Sequence, residues 1–168
     1  DAVEAAAAAA WQVVADLSDD LPVQVIHGDI TDDNVVCSPP DTGRMPDGII
    51  DLGDLTRSWP VAELAVAASS VLRHEGREPV ATLPLIEEFN AVRPLSPAEV
   101  EALWPLVVLR GAVLVVSGNH QASIDAENDD GESMFSDLAA ESRLGPLRQV
   151  SSREQAKALL AAIEQLPA

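Results

Sequence analysis

Three side chains stand at spacings that phosphoryl transfer could use. Asp29 sits in His27-Gly-Asp-Ile-Thr-Asp-Asp-Asn34, and Asn34 follows it by five residues. Asp51 closes the run Gly48-Ile-Ile-Asp51 and is followed by Leu52-Gly-Asp54. Phosphoryl transfer needs little covalent help; it needs alignment and charge neutralisation. One group must orient the attacking hydroxyl, and Asp29 suits that catalytic task by accepting its hydrogen bond and, late, its proton. Two oxygen ligands must hold the metal that bridges the nucleotide phosphates. The carboxamide of Asn34 and the carboxylate of Asp51 suit magnesium, and one protein charge suffices because the phosphates carry the rest.

Such residues need rigid neighbours, and the flanking sequence supplies them. Val23 to Ile26 and Val35 to Cys37 are short β-branched runs that read as strands, with His27 to Asp33 as the polar loop between them. Turn residues in Ser38-Pro-Pro-Asp-Thr-Gly43 and Pro46-Asp-Gly48 predict a hairpin joining Val35–Cys37 to Ile49–Ile50. Leu55 to Pro60 reads as a connector. The remainder is helical by its apolar spacing: an Ala-rich helix over residues 1–17, then helices over 61–73, 79–92 and 96–116. Ser96-Pro-Ala-Glu99 has the form of a capping box with proline at the first helical position. Weaker helices are expected over 134–141 and 151–166, with an acidic surface loop at 117–133. The fold class expected is α+β, mostly α, as a single domain over residues 1–168.

Bulk properties narrow the partners. The chain has 168 residues, of which 47% are hydrophobic and 23% charged, which is globular rather than disordered. Its net charge of -18 repels nucleic acid and anionic lipid, so neither is an expected partner; it would draw a metal or an amine. A lone cysteine, Cys37, permits no internal disulfide and fits a cytoplasmic setting; within an apolar run it is expected to be buried. No signal peptide is evident. The most apolar segment, Leu103 to Val116, contains Pro105 and Arg110 and is expected to be too short for a membrane span.

The two linked motifs, His27-Gly28-Asp29 with Asn34, and Ile50-Asp51-x-Gly53-Asp54, resemble the aminoglycoside phosphotransferase and choline kinase superfamily, relatives of the protein kinases. Within it, Ser58-Trp-Pro-Val-Ala-Glu-Leu-Ala65, Leu95-Ser-Pro-Ala-Glu-Val-Glu-Ala-Leu103 and Leu109-Arg-Gly-Ala-Val113 look most like hydroxylysine-kinase-like proteins. The resemblance implies the helical C-terminal lobe of a kinase-like fold, with its active-site loops on a small β element. It implies ATP or GTP as phosphate donor, magnesium, and a small hydroxylated amine or amino acid as acceptor. It gives His27 a supporting role in the catalytic loop, and Asp54 either a supporting role there or a place facing the acceptor. Gly28 stands where protein kinases carry arginine, which favours a small-molecule acceptor.

One departure is large. No glycine-rich loop precedes Asp29, and the sole lysine is Lys157. The N-terminal nucleotide-binding lobe is therefore expected to lie outside this chain, whose opening on Asp1 fits a piece of a larger protein, and the isolated lobe is expected to be inactive. Proteins of the resembled subgroup also occur fused to a class III aminotransferase module, and a non-catalytic regulatory or scaffolding domain is the alternative expectation.

Other residues carry smaller expectations. Asp32 and Asp33 could contact a cationic acceptor or be solvated loop carboxylates. Arg110, mid-helix among Leu106, Val107, Val113 and Leu114, is expected to form a core ion pair with Glu63 or Glu99. Trp11, Trp59 and Trp104 read as core anchors. His74 and His120 read as surface residues, and the histidines are too scattered for a zinc site.

Overall fold

Alanine lets the first helix sit close to its neighbour, and that choice sets the layering of the molecule. In the computed structural model, residues 2–38, 45–74 and 77–128 are described, with the backbone alone at Asp54 and at 119–128. Helix α1 (Ala2–Leu17) buries Ala10 and Val14, with Ala6 and Leu17 partly covered, along one face against helix α4 (Pro97–Asn128). Small side chains on that face bring the helices together, and Trp11, one residue past its edge, stays 55% exposed rather than anchoring the core.

Helix α2 (Pro60–Leu72) lies against another side of α4. Its residues Val61, Leu64, Ala65, Ala68 and Leu72 meet Ala102, Leu103, Trp104, Val107 and Val108 of α4. Helix α3 (Leu83–Val92) contributes Ile86, and a 3-10 turn over Pro79–Thr82 replaces the helical start expected there. Trp104 is buried and Trp59 packs against the cluster, so two of the three tryptophans serve the core.

The β element comprises two antiparallel pairs. Strand β1 (Gln24–Ile26) pairs with β4 (Thr56–Ser58), and β2 (Val35–Cys37) with β3 (Pro46–Ile49). The second pair is the expected hairpin, with a bulge between Val36 and Cys37; its tip, 39–44, lies outside the described residues. Strand β4 corrects the expected connector: it returns beside β1 with Val25 opposite Arg57. Cys37 also departs from expectation. It is exposed, because it ends a two-stranded ribbon whose faces are largely open, as they are at Val36 and Ile49.

Helix α4 runs on to Asn128, through much of the stretch expected to be a loop. Its segment Pro97–Gly118 is long and apolar enough, by length and composition, to cross a membrane, contrary to the shorter span expected. Half of that segment is buried within the fold against α1 and α2, as a core helix is. The expected helices at 134–141 and 151–166, and Lys157, lie outside the described residues.

The start of α4 is fixed by the capping box. Ser96 Oγ accepts from the Glu99 N–H at 3.2 Å, and Glu99 Oε2 accepts from the Ser96 N–H at 3.0 Å. Glu99 is only 1% exposed, and its other oxygen receives Arg93 Nη1 at 2.8 Å. The variant Glu99→Ala removes the cap and leaves Arg93 without that partner. A loss of about 2 kcal/mol in unfolding free energy is expected from denaturant titration; a change within experimental error would show that the cap is dispensable.

Candidate active site

Beyond β1 the chain must turn sharply, and Gly28 does so with φ 90°, a region that strains a residue bearing a side chain. The turn aims two backbone N–H groups at one carboxylate. Gly28 N–H donates to Glu63 Oε2 at 2.6 Å and Ile30 N–H to Glu63 Oε1 at 2.9 Å. Glu63 stands in the first turn of α2, so a helix rooted in the core holds the loop on both sides of Asp29.

His27 holds the same loop to the Asp51 loop. Its Nδ1 lies 3.3 Å from the Asp29 N–H, which can only donate, and its Nε2 lies 2.9 Å from the Ile50 carbonyl, which can only accept. These partners define a neutral ring with its proton on Nε2. His27 is buried and positions loops rather than reacting.

Asn34 ends the 3-10 turn Asp32–Asn34 and is itself buried. Its Nδ2 donates to the Asp29 carbonyl at 2.8 Å and to Asp29 Oδ2 at 3.2 Å. Because the nitrogen is spent on Asp29, the carboxamide oxygen is the atom left for a metal. The Asn34 carbonyl receives the Ile50 N–H at 3.1 Å, so Asp51 follows directly on the residue hydrogen-bonded to Asn34. Asp51 has φ 59° and ψ 58°, among the described residues the one non-glycine positive φ. Such a conformation costs roughly 1–2 kcal/mol, and strain of this kind gathers at functional sites. The Asp51 carboxylate is exposed, and Oδ1 lies 3.6 Å from where a side chain on Gly53 would begin. An amide oxygen and a carboxylate on loops joined by hydrogen bonds form a hard donor set of the kind that would suit magnesium. Among the described residues no cluster of three or more histidine, cysteine or carboxylate side chains could hold a metal alone. The side chain of Asp54 lies outside the described part.

Three placements depart from expectation or were missed by it. Arg110 does not pair with Glu63 or Glu99: its Nη2 meets Asp29 Oδ1 at 2.5 Å, while Glu63 is committed to backbone amides and Glu99 to its cap. Asp32 and Asp33 are exposed, as the solvated-loop expectation has it, but they also pair within the chain. Asp32 Oδ1 accepts from Ser70 Oγ and from Arg73 Nη2 at 2.8 Å, Oδ2 lies 3.4 Å from His74 Nε2, and Asp33 lies 3.3 Å from Arg73. The Ser70 hydroxyl, with Arg73 beside it, holds the Asp32 carboxyl below its ordinary value despite the opposing cost of partial burial. Glu63 has no local sequence signal for its role. An acidic residue in a first helical turn ordinarily complements the helix dipole, and nothing in the sequence tells that its partners lie 35 and 33 residues upstream.

A model of the phosphotransferase enzyme family matches residues 1–95, a stretch that contains Asp29, Asn34, Asp51 and Glu63 but not Arg110. No curated protein matches the chain.

The anchoring of the loop is testable by itself. In Glu63→Gln one carboxylate oxygen becomes an NH2 group facing an N–H donor, so one charge-assisted bond of about 1.5–3 kcal/mol is lost. Amide exchange at Gly28 and Ile30 should accelerate at least tenfold while amides in the middle of α2 keep their protection. Unchanged exchange at both positions would refute the anchor.

Proposed function

The chain belongs to the phosphotransferase enzyme family, and from that premise we propose that it carries the catalytic loops of a kinase that transfers the γ-phosphate of ATP or GTP to a hydroxyl of an amino alcohol or hydroxy amino acid. The observation that carries the proposal is the linked pair Asp29–Asn34. One carboxylate and one carboxamide are joined through Nδ2, with Asp51 brought alongside by the Ile50–Asn34 backbone bond.

In this account Asp29 accepts the hydrogen bond of the acceptor hydroxyl, turns its lone pair toward the phosphorus and receives its proton as the new O–P bond forms, while the bond from the γ-phosphorus to the bridging oxygen breaks and the nucleoside diphosphate leaves. Asn34 restrains the Asp29 carboxylate through Nδ2 and offers its oxygen to magnesium, and Asp51 offers its carboxylate. Bound magnesium would neutralise charge on the phosphate oxygens. His27 and Glu63 keep these groups in register, so that alignment is built before substrate arrives. The helical arrangement with small antiparallel pairs is compatible with the C-terminal lobe of a kinase-like protein. In this reading the nucleotide is held by a lobe other than the one described. The motif context also supports the hydroxylysine-kinase-like subgroup.

The test is transfer of labelled γ-phosphate by the full-length protein to a panel of hydroxylated amines and amino acids, with ATP and GTP in parallel. Asp29→Asn should lower kcat by about 100- to 10,000-fold, and residues 1–168 alone should turn over little. Transfer undiminished in Asp29→Asn would overturn the assignment.

A further inference from the structure

Arg110 is the feature of the site that the transfer chemistry leaves unused. It lies on α4, 81 residues from Asp29 in sequence, yet its Nη2 rests 2.5 Å from Asp29 Oδ1. The two side chains are 27% and 35% exposed, so the pair sits at the mouth of the site rather than in the core. A guanidinium has five N–H donors in a planar fork. Among the described residues one of its nitrogens is engaged, by Asp29 alone.

This geometry bears on the acceptor. A hydroxyl held by Asp29 would stand about 2.7 Å from a carboxylate oxygen, so the chain that carries it passes beside the guanidinium. Because Asp29 and Arg110 offset one another, a cationic group near that hydroxyl would gain little from the pair. An anionic group would find a planar donor array suited to bidentate binding of a carboxylate. The acidic residues of the loop do not offset this, because Asp32 and Asp33 face Arg73. Glu63 has both oxygens on backbone amides, and the reading above gives the Asp51 carboxylate to the metal.

We infer that Arg110 is the specificity residue for the acceptor: it binds a carboxylate a few bonds from the reacting hydroxyl, so the acceptor is a short hydroxy acid or hydroxy amino acid rather than a simple amino alcohol. The inference rests on the phosphotransfer function proposed above and narrows its substrate class. In the absence of acceptor, Arg110 holds Asp29 Oδ1. When the acceptor binds, the remaining donors of the fork take its carboxylate, and Asp29 is left to the hydroxyl.

The experiment compares kcat/KM of the full-length protein for pairs of acceptors that differ in one group, a hydroxy amino acid and its carboxamide, in wild type, Arg110→Gln and Arg110→Lys. The wild type should prefer the carboxylate at least tenfold. The preference should fall at least tenfold in Arg110→Gln, chiefly through KM, and be partly restored in Arg110→Lys, which keeps the charge without the fork. Because the readout is a ratio within each variant, a lower fraction of folded enzyme does not alter it. Equal use of the two acceptors by the wild type, or a preference unchanged in Arg110→Gln, would overturn the inference and leave phosphotransfer standing. No transfer to any acceptor would overturn both.

Discussion

The site depends on one carboxylate that does no chemistry. Glu63 accepts two backbone N–H groups from the loop that carries Asp29, and it does so from a helix whose apolar face is sealed into the core. Part-buried amides left without acceptors are costly, which favours this seat for the loop. That seat sets the position of Asp29, and through Asn34 and Ile50 it sets the position of Asp51. The route from core to chemistry therefore runs through Leu64 and Ala65, Glu63, the Gly28 turn and then the reacting groups.

Arginines within or just after the helices hold the acidic loops and caps of a chain with a large negative excess. Arg73 meets Asp32 and Asp33, Arg93 meets Glu99, and Arg110 meets Asp29. These pairs differ in kind. Glu99 is buried and serves the architecture. The Arg73 pairs are half in solvent, where the net energy of an ion pair is small, and they fasten the 3-10 turn to the end of α2. The Arg110 pair stands at the site itself. Its guanidinium has donors to spare, which makes it part of the recognition surface as well as a restraint on Asp29.

The sequence was informative where chemistry is encoded locally. The Asp29–Asn34 spacing, the hairpin between β2 and β3, and the Ser96–Glu99 cap all follow from residues close together in the chain. What it hid was distance. The pairing of β4 with β1 joins residues about thirty apart through a three-residue strand with little apolar pattern. Glu63 and Arg110 are both ordinary helical residues in the sequence, and their partners are decided by how α2 and α4 pack. Trp11 and Cys37 fail the usual expectation for other reasons: Trp11 sits one step beyond the covered face of α1, and Cys37 ends a ribbon whose faces are open.

The most direct measurement is paramagnetic. Manganese can stand in for magnesium at oxygen ligands, and its unpaired electrons broaden nearby nuclear resonances. Titrating manganese with ATP into the full-length protein should broaden the Asn34 side-chain amide and the backbone signals of 50–53 first, and Asp51→Ala should abolish that selectivity. Broadening that spreads over the acidic surface and spares Asn34, or that is unchanged in Asp51→Ala, would contradict a metal site built on these two loops.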